Sequence, residues 1–320
     1  MQIHDAAATE AALPFERLVP ALEALFARGC EVPPRHVHEV PVPGAQGFTS
    51  LIMPAWIPGS YYGLKTINIA PGNAARGLPG LHATYTLFDG STGVPLAAMD
   101  GNAITARRTA AASALAARWL ARADARHLLV VGAGRIAALL PAAHGAVRPL
   151  ERISVWARSA TQAQALAARW QAQGLPAHAV TDLRAACGAA DIVSCATLAT
   201  DPVVQGAWLR PGSHLDLIGS FTPAMREADD ACFAGAALYV DTDEALRKSG
   251  DLLGPLQRGV IRAGDVRGTL ASLSRGEAAG RRHAQERTVF KSVGTALEDL
   301  AAAILVHEAG RARGAMSAPT

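Results

Sequence analysis

The feature that most constrains the fold is a glycine-rich turn, GAGRIA, at residues 132–137. It follows a short run of β-branched and apolar residues at 127–131 that is typical of a buried strand, and it opens a helical segment. In such a turn the first glycine permits a sharp bend, and the second lets the backbone approach a pyrophosphate. The small residue Ala137 allows close helix–sheet packing. The turn therefore predicts a dinucleotide site whose phosphates meet a helix N-terminus, with a purely structural glycine turn as the alternative.

The residues after this turn alternate between strands and helices, a pattern that predicts a parallel sheet with crossover helices. The predicted strands are 127–131, 151–156, 191–196, 213–218 and 237–241. We therefore expect a Rossmann dinucleotide-binding domain, a doubly wound parallel sheet, over residues 119–289. The stretch 288–312 has apolar residues at helical spacing and is predicted to form one amphipathic helix that returns to the first domain.

The N-terminal third is rich in Pro and Gly and has short apolar runs between turn signals, which favours an antiparallel or mixed sheet. The predicted strands are 36–43, 48–53, 64–69, 82–88 and 95–100, with helices at 15–28 and 105–122. The expected fold class is therefore α/β, with the Rossmann domain joined to a discontinuous α+β domain that binds substrate and forms a dimer. That second domain is expected to comprise residues 1–118 and 290–320.

Composition excludes several classes of function. The net charge is only +3 and aromatic residues make up 5% of the chain of 320 residues, so a nucleic-acid surface is not expected. The four cysteines are scattered and no histidines stand at metal-ligand spacing, so we expect free thiols and no metal. No leader sequence and no long apolar run is evident, which favours a soluble cytoplasmic enzyme that binds no membrane.

The end of the second predicted Rossmann strand indicates which dinucleotide is bound. An NAD-binding site has an acidic residue there, whereas this sequence has Ala157, Arg158 and Ser159. A guanidinium and a hydroxyl suit a 2′-phosphate, so we expect NADPH, with NADH and an ordinary surface arginine as the alternatives. Thr197 is expected to line the nicotinamide and Thr109 to lie on the phosphate side. The predicted cofactor residues are Gly132, Ala133, Gly134, Arg135, Ile136, Ala157, Arg158, Ser159, Thr197 and Thr109.

Several further strings match one family. The N-terminal ones are MPA at 53–55, GLKT at 63–66, PGN at 71–73 and DGNAITARRTAA at 100–111. YVD at 239–241, SGD at 249–251 and FKSVG at 290–294 follow in the family's order. Together they resemble the ornithine cyclodeaminase / mu-crystallin family over about residues 35–302. Members of this family usually form homodimers through the sheet of the first domain, and the apolar strands at 48–99 are compatible with that.

The resemblance implies that Lys65, Arg108 and Arg35 hold the carboxylate of an amino or imino acid beside the nicotinamide. Guanidinium groups bind carboxylates through two hydrogen bonds and an ammonium adds a point charge, so these side chains suit the role. The alternative for each is a solvent-facing cation. Lys65 is the predicted proton donor to the imine nitrogen, with Asp216 and Thr222 as secondary candidates.

One departure from the family pattern bears on the substrate. Phe221 stands where ornithine cyclodeaminases have the aspartate that handles the substrate's amino groups, and Leu51 stands at a second acidic position. A free ammonium of ornithine would be left unpaired there, so cyclodeamination is not expected. The predicted substrate pocket comprises Phe221, Leu51, Met53 and Thr222.

The string GSFTPAMRE at 219–227 also resembles reductases of Δ1-pyrroline-2-carboxylate and Δ1-piperideine-2-carboxylate. We therefore expect an oxidoreductase of the ketimine reductase type in proline metabolism, which produces L-proline or L-pipecolate. The alternatives are an NAD-dependent ornithine cyclodeaminase, an amino-acid dehydrogenase of the alanine dehydrogenase kind, and an NADPH-binding protein that resembles mu-crystallin.

Overall fold

A computed structural model describes residues 1–316, with the side chains of residues 1–312. The chain divides into two compact units. Unit 1 comprises Met1–Arg108 and the segment that begins at Thr295, and unit 2 comprises Thr109–Gly294. Residues 118 and 289, where a division was expected, both lie within unit 2. Among residues 1–316 no helix is both long enough and apolar enough to cross a bilayer.

Unit 1 is built on a mixed sheet. Its strands are β1 (Gln2–His4), β2 (His36–Val42), β3 (Ala45–Ile57), β4 (Tyr61–Ile69), β5 (Leu81–Asp89) and β6 (Pro95–Asp100). They lie in the order β1-β6-β5-β4-β3-β2, and every neighbouring pair is antiparallel except the parallel pair β1–β6. The first helices of the chain are α1 (Ala6–Ala11), α2 (Phe15–Arg28) and α3 (Gly101–Leu120), and α3 continues beyond Arg108 into unit 2. The expected antiparallel strands are thus confirmed, whereas β1 was not foreseen.

Unit 2 is a parallel sheet with crossover helices. Its strands are β7 (His127–Val131), β8 (Arg152–Trp156), β9 (Ala177–Ala179), β10 (Ile192–Cys195), β11 (His214–Leu217), β12 (Ala237–Val240), β13 (Val266–Thr269) and β14 (Thr288–Lys291). The helices are α4 (Leu140–Gly145), α5 (Ala160–Ala172), α6 (Leu183–Ala189), α7 (Ala245–Lys248), α8 (Gly250–Gln257) and α9 (Leu270–Ser274). The order β13-β12-β14-β11-β10-β7-β8-β9 runs outward from β7 in both directions, which confirms the doubly wound Rossmann sheet.

The prediction of a single helix over residues 288–312 is wrong. Thr288–Lys291 forms β14, a fully buried strand between β11 and β12, and the final helix α10 begins only at Ala296 and runs to Met316. Between them lies Gly294 with φ of +79°, a left-handed conformation that ends the extended segment and that glycine adopts readily. A short buried strand has no period of its own, so its apolar residues were counted with those of the helix.

The core of unit 1 lies between its sheet and two helices. α10 packs against α2 and against strands β3 to β6. Side chains alternate along each strand, so one face of the sheet is covered by α10 and carries the buried residues Met53, Lys65, Tyr85 and Met99. A lysine therefore lies among core residues, and its environment is the starting point for the site.

Candidate functional site

Strand register places Lys65 in a row of buried side chains. Lys65 of β4 is paired with Met53 of β3 and with Tyr85 of β5, and none of the three is more than 6% exposed. Gly63, two residues earlier on the same face, makes room for the tyrosine ring, since a Cβ at that position would lie 1.9 Å from the Tyr85 hydroxyl oxygen. In the string GLKT, the glycine is therefore required for packing, and the lysine places a charged group in the core.

The start of α3 brings two further polar side chains to this face. Asp100 accepts a hydrogen bond from the Ala103 N–H at 2.7 Å and so caps the first turn. Gly101 lets the helix approach β5 closely, because a Cβ there would lie 2.7 Å from the Ala83 carbonyl carbon. Thr105 and Arg108 are three residues apart and therefore share one side of the helix. In the DGxxxT…R pattern, the aspartate and glycine therefore start the helix, and the threonine and arginine are the side chains that it brings to this face.

Two carboxylates from the first turn of α10 complete the arrangement. Asp299 forms an ion pair with Lys65 and accepts a hydrogen bond from Arg108 Nε at 3.0 Å. Glu298 accepts from Arg108 Nη1 at 2.6 Å. Lys65 Nζ also donates to the Thr105 hydroxyl at 3.4 Å. We call Lys65, Arg108, Glu298 and Asp299 the charged cluster of unit 1. Both carboxylates also lie at a helix N-terminus, where negative charge is favoured.

Burial gives the two cations of this cluster different acid–base behaviour. Burial lowers the pKa of Lys65 to about 8; Asp299 opposes this effect, and the neighbouring Arg108 adds to it. Burial also acts to lower the pKa of Arg108, but Asp299 and Glu298 outweigh it and the net direction is upward. The same two cations hold the pKa of Asp299 below its usual value despite its burial. Arg108 is therefore a permanent charge, whereas Lys65 can exchange a proton near neutral pH.

The remaining residues expected in unit 1 lie close to this row in the sheet. Arg35 is partly buried and directly precedes β2, whose first residue is paired with Ile52. The chain at Arg35 therefore lies at the end of β3 that carries Met53. Leu51 is two residues before Met53 and faces the same side of the sheet. The side chain of Leu51 is partly buried.

The glycine-rich turn of unit 2 has the geometry that a dinucleotide requires. Gly132 follows β7 with φ of +120°, and a Cβ there would lie 2.6 Å from the Ala196 carbonyl oxygen, so only glycine fits. At Gly134 a Cβ would meet no atom within 4 Å, which leaves the open space that a pyrophosphate would occupy. Ala133 is partly exposed and Arg135 is exposed, whereas Ala137 is fully buried.

The helix after this turn starts less regularly than the sequence suggests. Ile136 precedes a turn of 3-10 helix at Ala137–Leu139, and α4 proper begins at Leu140. Pro141 has no N–H to donate to the carbonyl of residue 137, and it lies in the first turn of α4, where no such hydrogen bond is needed. The N–H groups of the turn itself are therefore the main candidates for phosphate contacts.

The end of β8 carries no acidic residue. Ala157 is partly exposed, whereas Arg158 and Ser159 are exposed, and the serine hydroxyl caps α5 by accepting from Gln162 N at 3.4 Å. Among the side chains of residues 1–312 no carboxylate forms an ion pair with the Arg158 guanidinium, which is exposed.

The other predicted residues of unit 2 differ in burial and in contacts. Phe221 is 48% exposed and Thr222 partly exposed, both in the loop after β11. Thr109 is partly buried on α3. Asp216, a secondary candidate proton donor, is fully buried within β11 and accepts hydrogen bonds from Ser113 at 3.0 Å and Ser194 at 2.5 Å. Its contacts are those of a structural carboxylate.

Sequence reasoning did not identify three buried carboxylates that contact predicted site residues. Glu298 and Asp299 stand together in an apolar stretch at the start of α10, and this pair was the available signal. Glu227 accepts hydrogen bonds from both the N–H and the hydroxyl of Thr197, at 2.7 and 2.8 Å. Among residues 1–316 no three His, Cys, Asp or Glu side chains are grouped as a metal site.

A doubly wound parallel sheet with a GxGxxA turn after β7 is typical of a dinucleotide-binding protein. The profile of the Ornithine cyclodeaminase/mu-crystallin family matches residues 2–314. The chain belongs to that family, as its sequence motifs predict.

Individual relatives agree with this assignment. The chain is 47% identical to Delta(1)-pyrroline-2-carboxylate reductase of Paracoccus denitrificans over 88% of this chain and 89% of the relative. The solved structure of the Thermococcus litoralis enzyme of that name, in complex with NADH and L-proline, matches with a TM-score of 0.90, 33% identity and 98% coverage of both chains. An archaeal alanine dehydrogenase dimer with bound NAD matches with a TM-score of 0.87, 28% identity and coverage of 98% and 97%.

Proposed function

We propose that this protein is an NADPH-dependent reductase of a cyclic imino acid, with Δ1-pyrroline-2-carboxylate as the first candidate and L-proline as its product. The observation that carries the proposal is the buried Lys65–Arg108 pair, which Asp299 and Glu298 hold in place and whose N–H groups could donate to the carboxylate of a substrate. Its support comes also from the reductase that is 47% identical and from the related structure that contains L-proline.

In this proposal the cations fix the substrate and the cofactor reduces it. Arg108 and Arg35 bind the carboxylate, and Lys65 donates a proton to the imine nitrogen. A pKa of about 8 leaves Lys65 protonated at neutral pH yet able to release its proton, which the arginines cannot do. When bound, the reduced nicotinamide supplies a hydride to the carbon of the C=N bond. Orientation and exclusion of water supply the remainder of the rate enhancement.

The choice of NADPH over NADH rests on Arg158. Replacing it by aspartate would repel the 2′-phosphate and supply the carboxylate that a ribose 2′-hydroxyl prefers. For Arg158→Asp we expect the ratio of kcat/KM with NADPH to that with NADH to fall by roughly 100-fold, as expected for loss of charge-assisted bonds. Arg169→Asp makes the same charge change at another exposed position of unit 2 and is the control. An unchanged ratio in Arg158→Asp would contradict the assignment.

The apolar Phe221 favours a ring substrate over a diamine. The nearest carboxylates in sequence, Asp216 and Glu227, are committed to hydrogen bonds within unit 2 and cannot replace the aspartate that a cyclodeaminase needs. Phe221→Asp should lower kcat/KM for the imine by about tenfold or more, because a charge replaces an apolar contact to the ring methylenes. Phe221→Leu keeps the apolar surface and should retain most activity. Equal loss in both variants would argue against specificity based on polarity.

The decisive experiment measures nicotinamide absorbance with three substrate sets. Purified protein is given NADPH with Δ1-pyrroline-2-carboxylate, NADPH with pyruvate and ammonia, and NAD with ornithine. We expect rapid turnover only with the imine. Ammonia release from ornithine would instead support the cyclodeaminase alternative, and turnover of pyruvate the dehydrogenase alternative. NADPH binding without turnover in any set would support the binding-protein alternative.

We further propose that the protein is a homodimer formed through the sheet of unit 1. On the face opposite α10, Trp56, Tyr62 and Phe88 are paired across three strands, and their ring centroids are 6.3 and 5.5 Å apart. These aromatic side chains are only partly buried, so they leave an apolar surface on which a second copy could pack. The related alanine dehydrogenase is described as a dimer.

A further inference from the structure

One buried carboxylate in unit 2 joins the loops that follow two neighbouring strands. Glu227 Oε1 accepts hydrogen bonds from the N–H and the hydroxyl of Thr197, at 2.7 and 2.8 Å. Its Oε2 accepts from the Gly219 N–H at 2.6 Å. Thr197 follows β10 and Gly219 follows β11, and these strands are parallel neighbours. Both loops therefore leave the same edge of the sheet, and each oxygen of the carboxylate binds one of them.

The two loops are also in direct backbone contact. A Cβ at Gly219 would lie 2.0 Å from the Thr197 carbonyl oxygen and 2.5 Å from Glu227 Oε1, so no side chain can be accommodated there. The close approach of Gly219 to Thr197 therefore fixes the spacing between the loops, and the hydrogen bonds to Glu227 maintain it.

Glu227 itself is held in place by its surroundings. Its N–H donates to Asp251 at 2.9 Å, and its carbonyl oxygen accepts from the N–H groups of Val203 and Val204, both at 2.9 Å. The Lys291 ammonium lies 3.7 Å from Asp251 and donates to the Leu217 carbonyl oxygen at 3.0 Å. Burial raises the pKa of Glu227 and the nearby Asp251 adds to this effect, whereas Lys291 and the two hydrogen bonds from Thr197 oppose it. Such a fixed and fully buried carboxylate cannot swing away from the loops.

Just beyond the joined residues, both loops expose a large apolar side chain. Leu198 is 77% exposed and Phe221 is 48% exposed. The carboxyl edge of a doubly wound sheet is where cofactors bind, and exposed apolar groups at such an edge indicate a surface that a ligand covers.

We propose that Glu227 is a positioning residue for the nicotinamide half of the cofactor, because it fixes the spacing of the two loops that present Leu198 and Phe221. This inference rests on the proposed function as far as the cofactor is concerned. It assigns to Glu227 no contact with the cofactor or the substrate.

Glu227→Gln tests the inference, since the amide cannot accept at both loops and its NH2 group would face the Gly219 N–H or the Thr197 N–H. We expect the Kd for NADPH, measured by fluorescence titration, to rise by about tenfold. The KM for NADPH should rise more than kcat falls. Thr197→Val removes one of the three donors and should raise the Kd by a smaller factor. In the double variant the Kd for NADPH should rise by less than the product of the two single increases. Both substitutions disturb the same hydrogen bond, that between the Thr197 hydroxyl and Glu227, so their effects should not add independently.

The matched control is Glu286→Gln. Glu286 is also a buried carboxylate of unit 2 and accepts from the Arg282 N–H at 2.7 Å, but it precedes β14 and so lies at the opposite edge of the sheet. The variant Glu286→Gln should have a lower Tm and an unchanged Kd for NADPH. A Kd within twofold of wild type in Glu227→Gln, or equal weakening in the control, would overturn the inference. If Glu227→Gln does not fold, an unchanged Kd in Thr197→Val would overturn it instead.

Imine turnover by the wild type is measured in parallel, so that the two proposals can fail separately. Wild type that binds NADPH but does not reduce the imine contradicts the proposed reaction, while the weakened Kd of Glu227→Gln still supports the positioning role. Imine turnover by the wild type together with an unchanged Kd in Glu227→Gln supports the proposed reaction and contradicts the positioning role.

Discussion

At Lys65, burial and charge act on the same ammonium group in opposite directions. Burial lowers its pKa to about 8, and the ion pair with Asp299 prevents a larger fall. Below this pH the group is charged and can bind a carboxylate, and above it the group is neutral. We therefore expect kcat/KM for the imine to fall as the pH rises through about 8. Steady-state rates across a pH series measure this descending limb.

Two variants assign that limb to Lys65 and not to the substrate. Lys65→Arg should be slower because arginine cannot release a proton, but its cation stays charged throughout, so the limb in its residual activity is that of the imine alone. In Asp299→Asn the attraction that raises the pKa of Lys65 is lost, so the limb should move to lower pH. Glu308→Gln removes an exposed carboxylate from the same helix and should not move it. Persistence of the same limb in Lys65→Arg would show that Lys65 does not titrate in this range.

At the scale of the element, α3 connects local packing to the site. Its first residue, Gly101, approaches β5 so closely that a Cβ would lie 2.7 Å from the Ala83 carbonyl carbon and 2.8 Å from the Thr84 nitrogen. Gly101→Ala should therefore lower the free energy of unfolding by about 1–3 kcal/mol, as overpacking does. Because Thr105 and Arg108 lie on the same helix, the KM for the imine should rise as well. Thermal denaturation and steady-state kinetics measure the two effects.

Gly145→Ala is the control for this substitution. Gly145 is the last residue of α4, and a Cβ there would meet no atom within 4 Å. Alanine is favoured over glycine in helices, so Tm should stay the same or rise slightly. Should Gly101→Ala match the wild type in Tm and KM, the close approach of α3 to β5 would not be what positions Arg108.

Individual strands and helices show which parts of the fold could be predicted from the sequence. The strand and turn around Gly132 were predictable because a buried β-branched run and a GxGxxA turn each have a local signature. β14 was not predictable, since its four residues are inserted between β11 and β12 from a distant part of the chain. The Asp299–Lys65 pair was missed for the same reason, because only the folded chain brings α10 onto β4. The motif around Lys65 identified the cation, whereas its counter-charge depends on tertiary structure.

At the scale of the whole molecule, the open face of the unit 1 sheet predicts the oligomeric state. Leu64 lies between the buried Gly63 and Lys65 in sequence, so its side chain points to the face opposite α10. Its pairing partners on that face are Pro54 and Thr86, beside the row of Trp56, Tyr62 and Phe88. A stable homodimer needs roughly 1,000 Å² or more of well-packed surface, and an extended apolar sheet face can provide it.

Leu64→Glu should therefore separate the protomers, because it would bury two uncompensated carboxylates across a symmetric interface. We expect wild type to have twice the chain mass in light scattering after gel filtration, and the variant to have the mass of one chain at micromolar concentration. Val94→Glu, which changes an exposed valine in the loop between β5 and β6, should remain dimeric. A Leu64→Glu variant with the dimer mass would place the interface elsewhere. If the monomeric variant keeps its affinity for NADPH, the cofactor site of unit 2 does not depend on dimer formation.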